Sequence, residues 1–252
     1  MSGDYPDFVA RFYDAVYARV RDDADARYYV DRMVEAPGPA LEIGVGTGRV
    51  LLPALERGAD AYGIDLSPSM LARLRDKLPP SEHHRVWLGD AGTFQDDRRF
   101  ALVVAPFRVL GHVLAIDDQL RLLDNVAEHL LPGGRLIFDL YVPSPRILAD
   151  GIHEVLDFDG EHAPGQRLRR TVSARSDVVN QLTHGTMTFA WQDDGAEIRR
   201  DWTFTLRFYF RYELEHLVAR SRLRLESIHG DFDGSPLGPE SRELVVTCRR
   251  PE

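Results

Sequence analysis

With 252 residues, 44% of them hydrophobic, the chain can bury one α/β core with an elaboration on it, but not two equal domains. A formal net charge of -9 argues against a nucleic-acid partner, because proteins that live on phosphates present net positive charge or a basic stripe. The single cysteine, Cys248, excludes an internal disulfide framework and any multi-cysteine metal site. No apolar run reaches membrane-spanning length, and Met1 to Asp7 lacks the basic and apolar regions of a secretory signal, so the expectation is a cytoplasmic protein without a membrane partner.

Taken in chain order, Asp7 to Glu35 reads as two helices, with Phe8, Phe12 and Val16 and then Tyr29, Met33 and Val34 at helical spacing. Pro37-Gly38-Pro39 breaks the chain. Short apolar runs then alternate with helical segments: Ala40 to Ile43, Val50 to Glu56, Ala61 to Ile64, Pro68 to Lys77, Arg85 to Leu88 and Ala101 to Val104. That rhythm predicts a doubly wound parallel sheet. Asp117 to Leu130 forms an amphipathic helix, which Pro132-Gly133-Gly134 stops before a fifth strand from Arg135 to Leu140.

After Tyr141 the period changes to two. Met187, Phe189 and Trp191 alternate with other residues, as do Trp202, Phe204, Leu206 and Phe208, and Asp193-Asp194-Gly195 sits between the runs as a turn. An antiparallel meander over Arg167 to Phe210 is predicted. A helix carrying Leu214, Leu217 and Val218 follows, then two strands, Leu223 to Ile228 and Glu243 to Cys248, which bring the main sheet to seven strands.

The chemistry gathers at the ends of the early strands. Gly44, Gly46 and Gly48 directly follow the first strand, where glycines permit a sharp turn and close approach to a ligand. Their spacing is G-x-G-x-G, and Arg49 occupies the place a third dinucleotide glycine would take. Asp65 ends the second strand, where a carboxylate can accept both ribose hydroxyls, and Asp90 ends the third, placed to accept from an adenine amine. Each acid alone is as readily a helix cap or a solvated loop residue.

These motifs resemble those of the class I S-adenosylmethionine-dependent methyltransferases, from about Tyr13 to Tyr141, with E-x-G-x-G-x-G (Glu42 to Gly48) the most specific element. The resemblance implies a Rossmann-like α/β fold with a mostly parallel seven-stranded sheet and an antiparallel meander inserted after the fifth strand. It implies a helical cap over 1–36, a cofactor-binding domain over 37–145 and 211–252, and an insert over 146–210 serving as acceptor lid or dimer surface. It further places Glu42 beside the methionine end of S-adenosyl-L-methionine, Gly44, Gly46 and Gly48 beneath it, Asp65 with Leu66 at the ribose, and Asp90 with Ala91 around the adenine, leaving S-adenosyl-L-homocysteine as product. The meander and the Tyr13 and Tyr17 pair look similar to amino-sugar and glycine-type N-methyltransferases; that pair shares a helix face, for cofactor contact or for packing on the sheet.

An acceptor amine need only be neutral, whereas a hydroxyl profits from a base. His112, just beyond the fourth strand, is either the candidate base or a structural histidine at a helix start, with Tyr141 at the end of the fifth strand a second candidate base. No metal is expected. The expected function is methyl transfer to a small-molecule acceptor, an amine nitrogen ahead of oxygen or carbon. The alternatives are a non-catalytic cofactor-binding module and a nicotinamide-dependent dehydrogenase, the latter disfavoured by the glycine spacing. The aromatic face of the meander exceeds what a lid needs, so a homodimer is expected.

Overall fold

The computed structural model describes residues 5–20, 22–193 and 195–252, so Asp194 of the predicted turn and Met1 to Asp4 lie outside the described residues. Two helices lead, α1 (Asp7–Val20) and α2 (Ala24–Val34). The main sheet follows as β1 (Ala40–Ile43), α3 (Leu51–Glu56), β2 (Ala61–Asp65), α4 (Pro68–Arg75), β3 (Val86–Leu88), β4 (Phe100–Ala105), α5 (Ile116–His129) and β5 (Leu130–Tyr141). After α6 (Pro145–Asp150) come four twelve-residue strands, β6 (Ile152–Ala163), β7 (Gln166–Asp177), β8 (Leu182–Asp193) and β9 (Ala196–Arg207). The chain closes with α7 (Arg211–Ala219), β10 (Arg224–His229) and β11 (Glu243–Arg249).

The seven-stranded sheet has the order β10-β11-β5-β4-β1-β2-β3. Strands β5, β4, β1, β2 and β3 run parallel, while β11 pairs antiparallel with β5 and with β10. Helices cover both faces, so β1 and β4 are buried along their whole length, as continuous apolar runs require. Chain direction across the sheet reverses between β1 and β4, which opens a crevice beyond their C-terminal ends. Gly44 and Pro106 stand at that crevice.

Pro132-Gly133-Gly134 lies inside β5, not ahead of it: Leu130 already pairs with Phe100, and the register shifts before Leu102 meets Arg135. Gly133, at φ +73°, makes this bulge possible.

The second sheet is antiparallel in the order β6-β7-β8-β9 and starts one strand earlier than the predicted meander. Strand β6 is an edge strand with half of its twelve residues exposed, and its register against β7 slips at three points. Those irregularities erase the period-two pattern from Ile152 to Ala163.

Helix α1 lies across the apolar face of this sheet. Val9, Phe12 and Val16 form one buried cluster with Phe158, Leu168, Phe189, Trp191 and Trp202. Phe12 meets Trp191 edge-on at 5.1 Å, and Phe8 meets Phe189 at 5.4 Å. The aromatic surface that made a partner subunit look necessary is therefore largely covered by the chain's own first helix. Among the described residues no helix is long and apolar enough to cross a membrane.

Candidate active site

The glycine loop leaves β1 with Gly44, Gly46 and Gly48 all at positive φ. At Gly44 a Cβ would stand 2.6 Å from Val109 Cγ2, and at Gly48 it would run into Leu74 and Leu52. Residues with side chains fit neither position without strain. Most loop amides are already engaged: Gly44 and Val45 donate to Ile64 O at 2.8 and 3.1 Å, and Gly48 donates to Val45 O at 2.9 Å. The loop is thus a shaped surface more than a row of open donors.

Asp65 shapes it. Its Oδ2 accepts from the Gly46 amide at 2.7 Å and its Oδ1 from the Ser67 amide at 2.8 Å. Burial raises its pKa, and the backbone donors of Ser67, Gly46 and Leu66 oppose that shift. With three backbone donors on its four lone-pair sites, the carboxylate keeps one for a ligand hydroxyl.

A cavity of about 100 Å³ lies over the crevice, lined by Gly44, Gly46, Asp65, Leu66, Ala91 and His112 together with Tyr5, Tyr13 and Phe107. The structure therefore brings together seven of the twelve residues that the sequence singled out. Glu42 lies just beneath, 3% exposed, with Oε2 without a hydrogen-bond partner. Burial pushes its pKa well above the usual carboxylate value, opposed by Arg49 and by the Leu51 amide. Gly48 packs behind the loop and is not among the lining residues.

Three residues sit elsewhere. The Asp90 carboxylate accepts from the Gly92 amide at 2.7 Å, so it closes its own turn while Gly89 and Ala91 face the cavity. Tyr17 stacks on Tyr13 at 4.4 Å and meets Phe107 edge-on at 5.2 Å, one layer out. Tyr141 is bonded to Thr183 Oγ1 at 3.1 Å, joining β5 to β8, with the Arg108 guanidinium 5.1 Å over its ring.

Several residues of the site gave no sequence signal. Tyr5 lines the cavity and stands 4.6 Å from Trp202, 6.4 Å from Tyr13 and 6.2 Å from His112, centroid to centroid. Asp14 on α1 accepts from Thr47 Oγ1 at 2.6 Å and pairs with Lys77 at 2.5 Å, tying the helix to the glycine loop. Arg49 forms a two-pronged pair with the buried Asp25 of α2 at 2.9 and 2.5 Å. Buried Asp139 accepts from the Tyr29 hydroxyl and the Phe107 amide, both at 2.7 Å. It pins a turn in which Phe107 and Arg108 are both left-handed, at φ +62° and +66°. Among the described residues there is no cluster of His, Cys, Asp or Glu able to hold a metal.

Residues 40–134 match a family profile described as a methyltransferase domain. The dTDP-3-amino-3,4,6-trideoxy-alpha-D-glucopyranose N,N-dimethyltransferase of Streptomyces venezuelae is 28% identical over 247 residues, covering 94% of this chain and 96% of its own. The dTDP-3-amino-3,6-dideoxy-alpha-D-glucopyranose N,N-dimethyltransferase of Streptomyces fradiae is 26% identical, covering 73% of this chain and 67% of its own. Among solved structures, an S-adenosylmethionine-dependent methyltransferase from Clostridium acetobutylicum superposes with a TM-score of 0.78 at 18% identity, covering 95% of this chain and 98% of that one. A crevice at the sheet's reversal point, a glycine loop held at positive φ and an acid at the next strand's end all agree with these relationships, and the chain is an S-adenosylmethionine-dependent methyltransferase.

Proposed function

We propose that the chain methylates the nitrogen of a small amine, with an amino sugar as the acceptor class. The named activities of the two Streptomyces relatives support this, the first of them along nearly the whole chain. For the cofactor's position, the observation that carries the reading is Asp65, held by the Gly46 and Ser67 amides at the rim of a cavity floored by Gly44 and Gly46. Asp65 and Leu66 would hold the ribose, Gly89 and Ala91 the adenine, and Glu42, Gly44 and Tyr13 the methionine end. In this assignment Asp90 orders the adenine turn through Gly92, Gly48 supports the loop from behind, and Tyr17 supports Tyr13.

S-adenosyl-L-methionine supplies an electrophilic methyl carbon on its sulfonium. The protein aligns the acceptor nitrogen with it: the nitrogen lone pair forms the C–N bond, the C–S bond breaks, and sulfur keeps the pair. His112, in the 3-10 turn Val109–His112 on the cavity wall, takes the proton the amine must lose. Tyr5, Tyr13 and Phe107 exclude water from the crevice.

Calorimetry and a turnover assay test the reading. Asp65→Ala should bind S-adenosyl-L-methionine one to two decades more weakly, about 1.5–3 kcal/mol for charge-assisted hydrogen bonds. Wild-type protein should release S-adenosyl-L-homocysteine with a 3-aminohexose acceptor. Unchanged affinity in a folded Asp65→Ala, or tight binding of a nicotinamide dinucleotide, would overturn it.

The homodimer belongs to the same proposal but on a narrower base, since α1 covers the aromatic face. What remains exposed on and beside the second sheet is Val155, Leu156, Val178 and Val179. Sedimentation equilibrium at micromolar concentration decides it: a 28.6 kDa species throughout rejects the dimer.

A further inference from the structure

A second, much larger depression of about 970 Å³ lies on the four-stranded sheet, and none of the residues singled out in the sequence as site residues lines it. Its floor has a simple origin. Ala174 of β7 stands opposite Gly185 of β8, so two neighbouring strands present almost no side chain at one level. Gly185 in turn stands opposite Phe204 of β9, and the Phe204 ring lies across it: a Cβ at Gly185 would run into that ring. Pro6 and Ile152 form two walls.

A row of aromatic rings lies between the depression and the cofactor crevice. Phe204 and Trp202, both in its lining, stand 5.0 Å apart at 33°. Trp202 stands 4.6 Å from Tyr5, and Tyr5, which lines the cofactor cavity, stands 6.2 Å from His112. The row Phe204, Trp202, Tyr5, His112 runs from the floor of the large depression to the candidate base.

We propose that the depression is the acceptor site and that Phe204 determines its specificity, offering a flat ring to the apolar C–H face of an aminopyranose whose nitrogen then points along the row to His112. Burying one weakly hydrated face of a ring against an aromatic while leaving its polar edge in water is the usual use of such a surface. The inference rests on the amino-sugar reading above, and the two can fail separately.

The test uses the full chain, S-adenosyl-L-methionine and two acceptors: a dTDP-linked 3-amino-3,6-dideoxyhexose, and ethanolamine as an amine without a ring. Phe204→Leu and Gly185→Ala, the second chosen because its Cβ displaces the same ring, should each raise KM for the sugar at least tenfold. Cofactor affinity should stay unchanged. Wild-type KM for the sugar in both folded variants overturns the platform while leaving the amine reading standing. If the wild type binds cofactor but methylates neither acceptor, the amine reading falls, and tryptophan fluorescence then decides the platform. A sugar-induced change that is lost in Trp202→Phe supports it, and the absence of any such change overturns it.

Discussion

The two sheets carry opposite kinds of surface. The seven-stranded sheet contributes a site made largely of backbone: three glycines at positive φ, amides turned inward, and one carboxylate that braces the loop it serves. The four-stranded sheet contributes side chains, the Phe204 ring laid over Gly185 with Trp202 beside it, completed by Tyr5 from the far end of the chain. A site made of backbone admits almost no side-chain change at its key positions, whereas one made of side chains can alter its ligand while the fold stays as it is. The first suits a cofactor that never changes, the second an acceptor that differs between relatives.

The sharpest way to break this comparison is Gly44→Ala. The new Cβ would meet Val109 Cγ2 at 2.6 Å with φ at +71°. Backbone strain of this kind costs about 1–3 kcal/mol, and relief would push the loop into the cavity. We expect S-adenosyl-L-methionine affinity to fall by up to roughly two decades, since 1.4 kcal/mol is tenfold. Calorimetry on the folded variant checks it, and near-normal affinity would mean that the loop is not the contact surface. Next in size is His112→Ala, for which turnover should drop about 10²-fold with cofactor affinity intact. A variant with normal turnover would make His112 a structural neighbour of Tyr5.

The same contrast explains what the sequence could reveal. The glycine loop was legible because its residues are consecutive and their chemistry is forced, and the inner strands of the main sheet because burial on both faces leaves unbroken apolar runs such as Phe100 to Ala105. Strand β6 was not legible, since an edge strand with three register slips has no period to detect. Tyr5, Trp202 and Phe204 could not be joined into a site, because only the packing of α1 onto the second sheet brings residues almost two hundred positions apart into contact. Asp139 was visible only as a lone acid, and its role depends on Tyr29 and on a left-handed turn that no local pattern announces. The surplus of aromatic residues is real, and α1 covers much of it.

Glu42 sharpens the picture of the backbone-built side, where it is a buried acid under the loop. Burial raises its pKa above the ordinary value of 4.5, so the folded chain holds this proton more tightly than the unfolded one. The associated stability is complete below about pH 4.5 and is lost as pH rises through the raised value. Glu42→Gln keeps an acceptor for the Leu51 amide and cannot ionise, so it escapes that loss. The melting temperature of the variant minus that of the wild type should therefore increase from pH 4.5 to 8, measured by scanning calorimetry. A difference that stays constant across this range would mean that Arg49 keeps Glu42 charged throughout.

Tyr141→Phe should give the smallest effect, and it probes the seam between the two kinds of surface. The Tyr141 hydroxyl and Thr183 Oγ1, 3.1 Å apart, connect β5 of the main sheet to β8 of the second. Burial raises the phenol's pKa, and the Thr183 hydrogen bond and the Arg108 charge only partly oppose this, which is a poor setting for a base near neutral pH. A brace loses one hydrogen bond on substitution, worth about 0.5–1.5 kcal/mol net. At this size of chain that is a fall in Tm of roughly 1–6 °C, with kcat/KM within about threefold of wild type. A catalytic proton carrier would instead lose turnover by about 10²-fold with little change in Tm. Thr183→Val separates the two roles further: if Tyr141 acts only through this bond, Thr183→Val lowers Tm by a similar amount, and the double variant falls by less than the two single shifts added together. Full additivity of the two shifts would show that the hydroxyls stabilise the chain independently and that the seam between the sheets is held elsewhere.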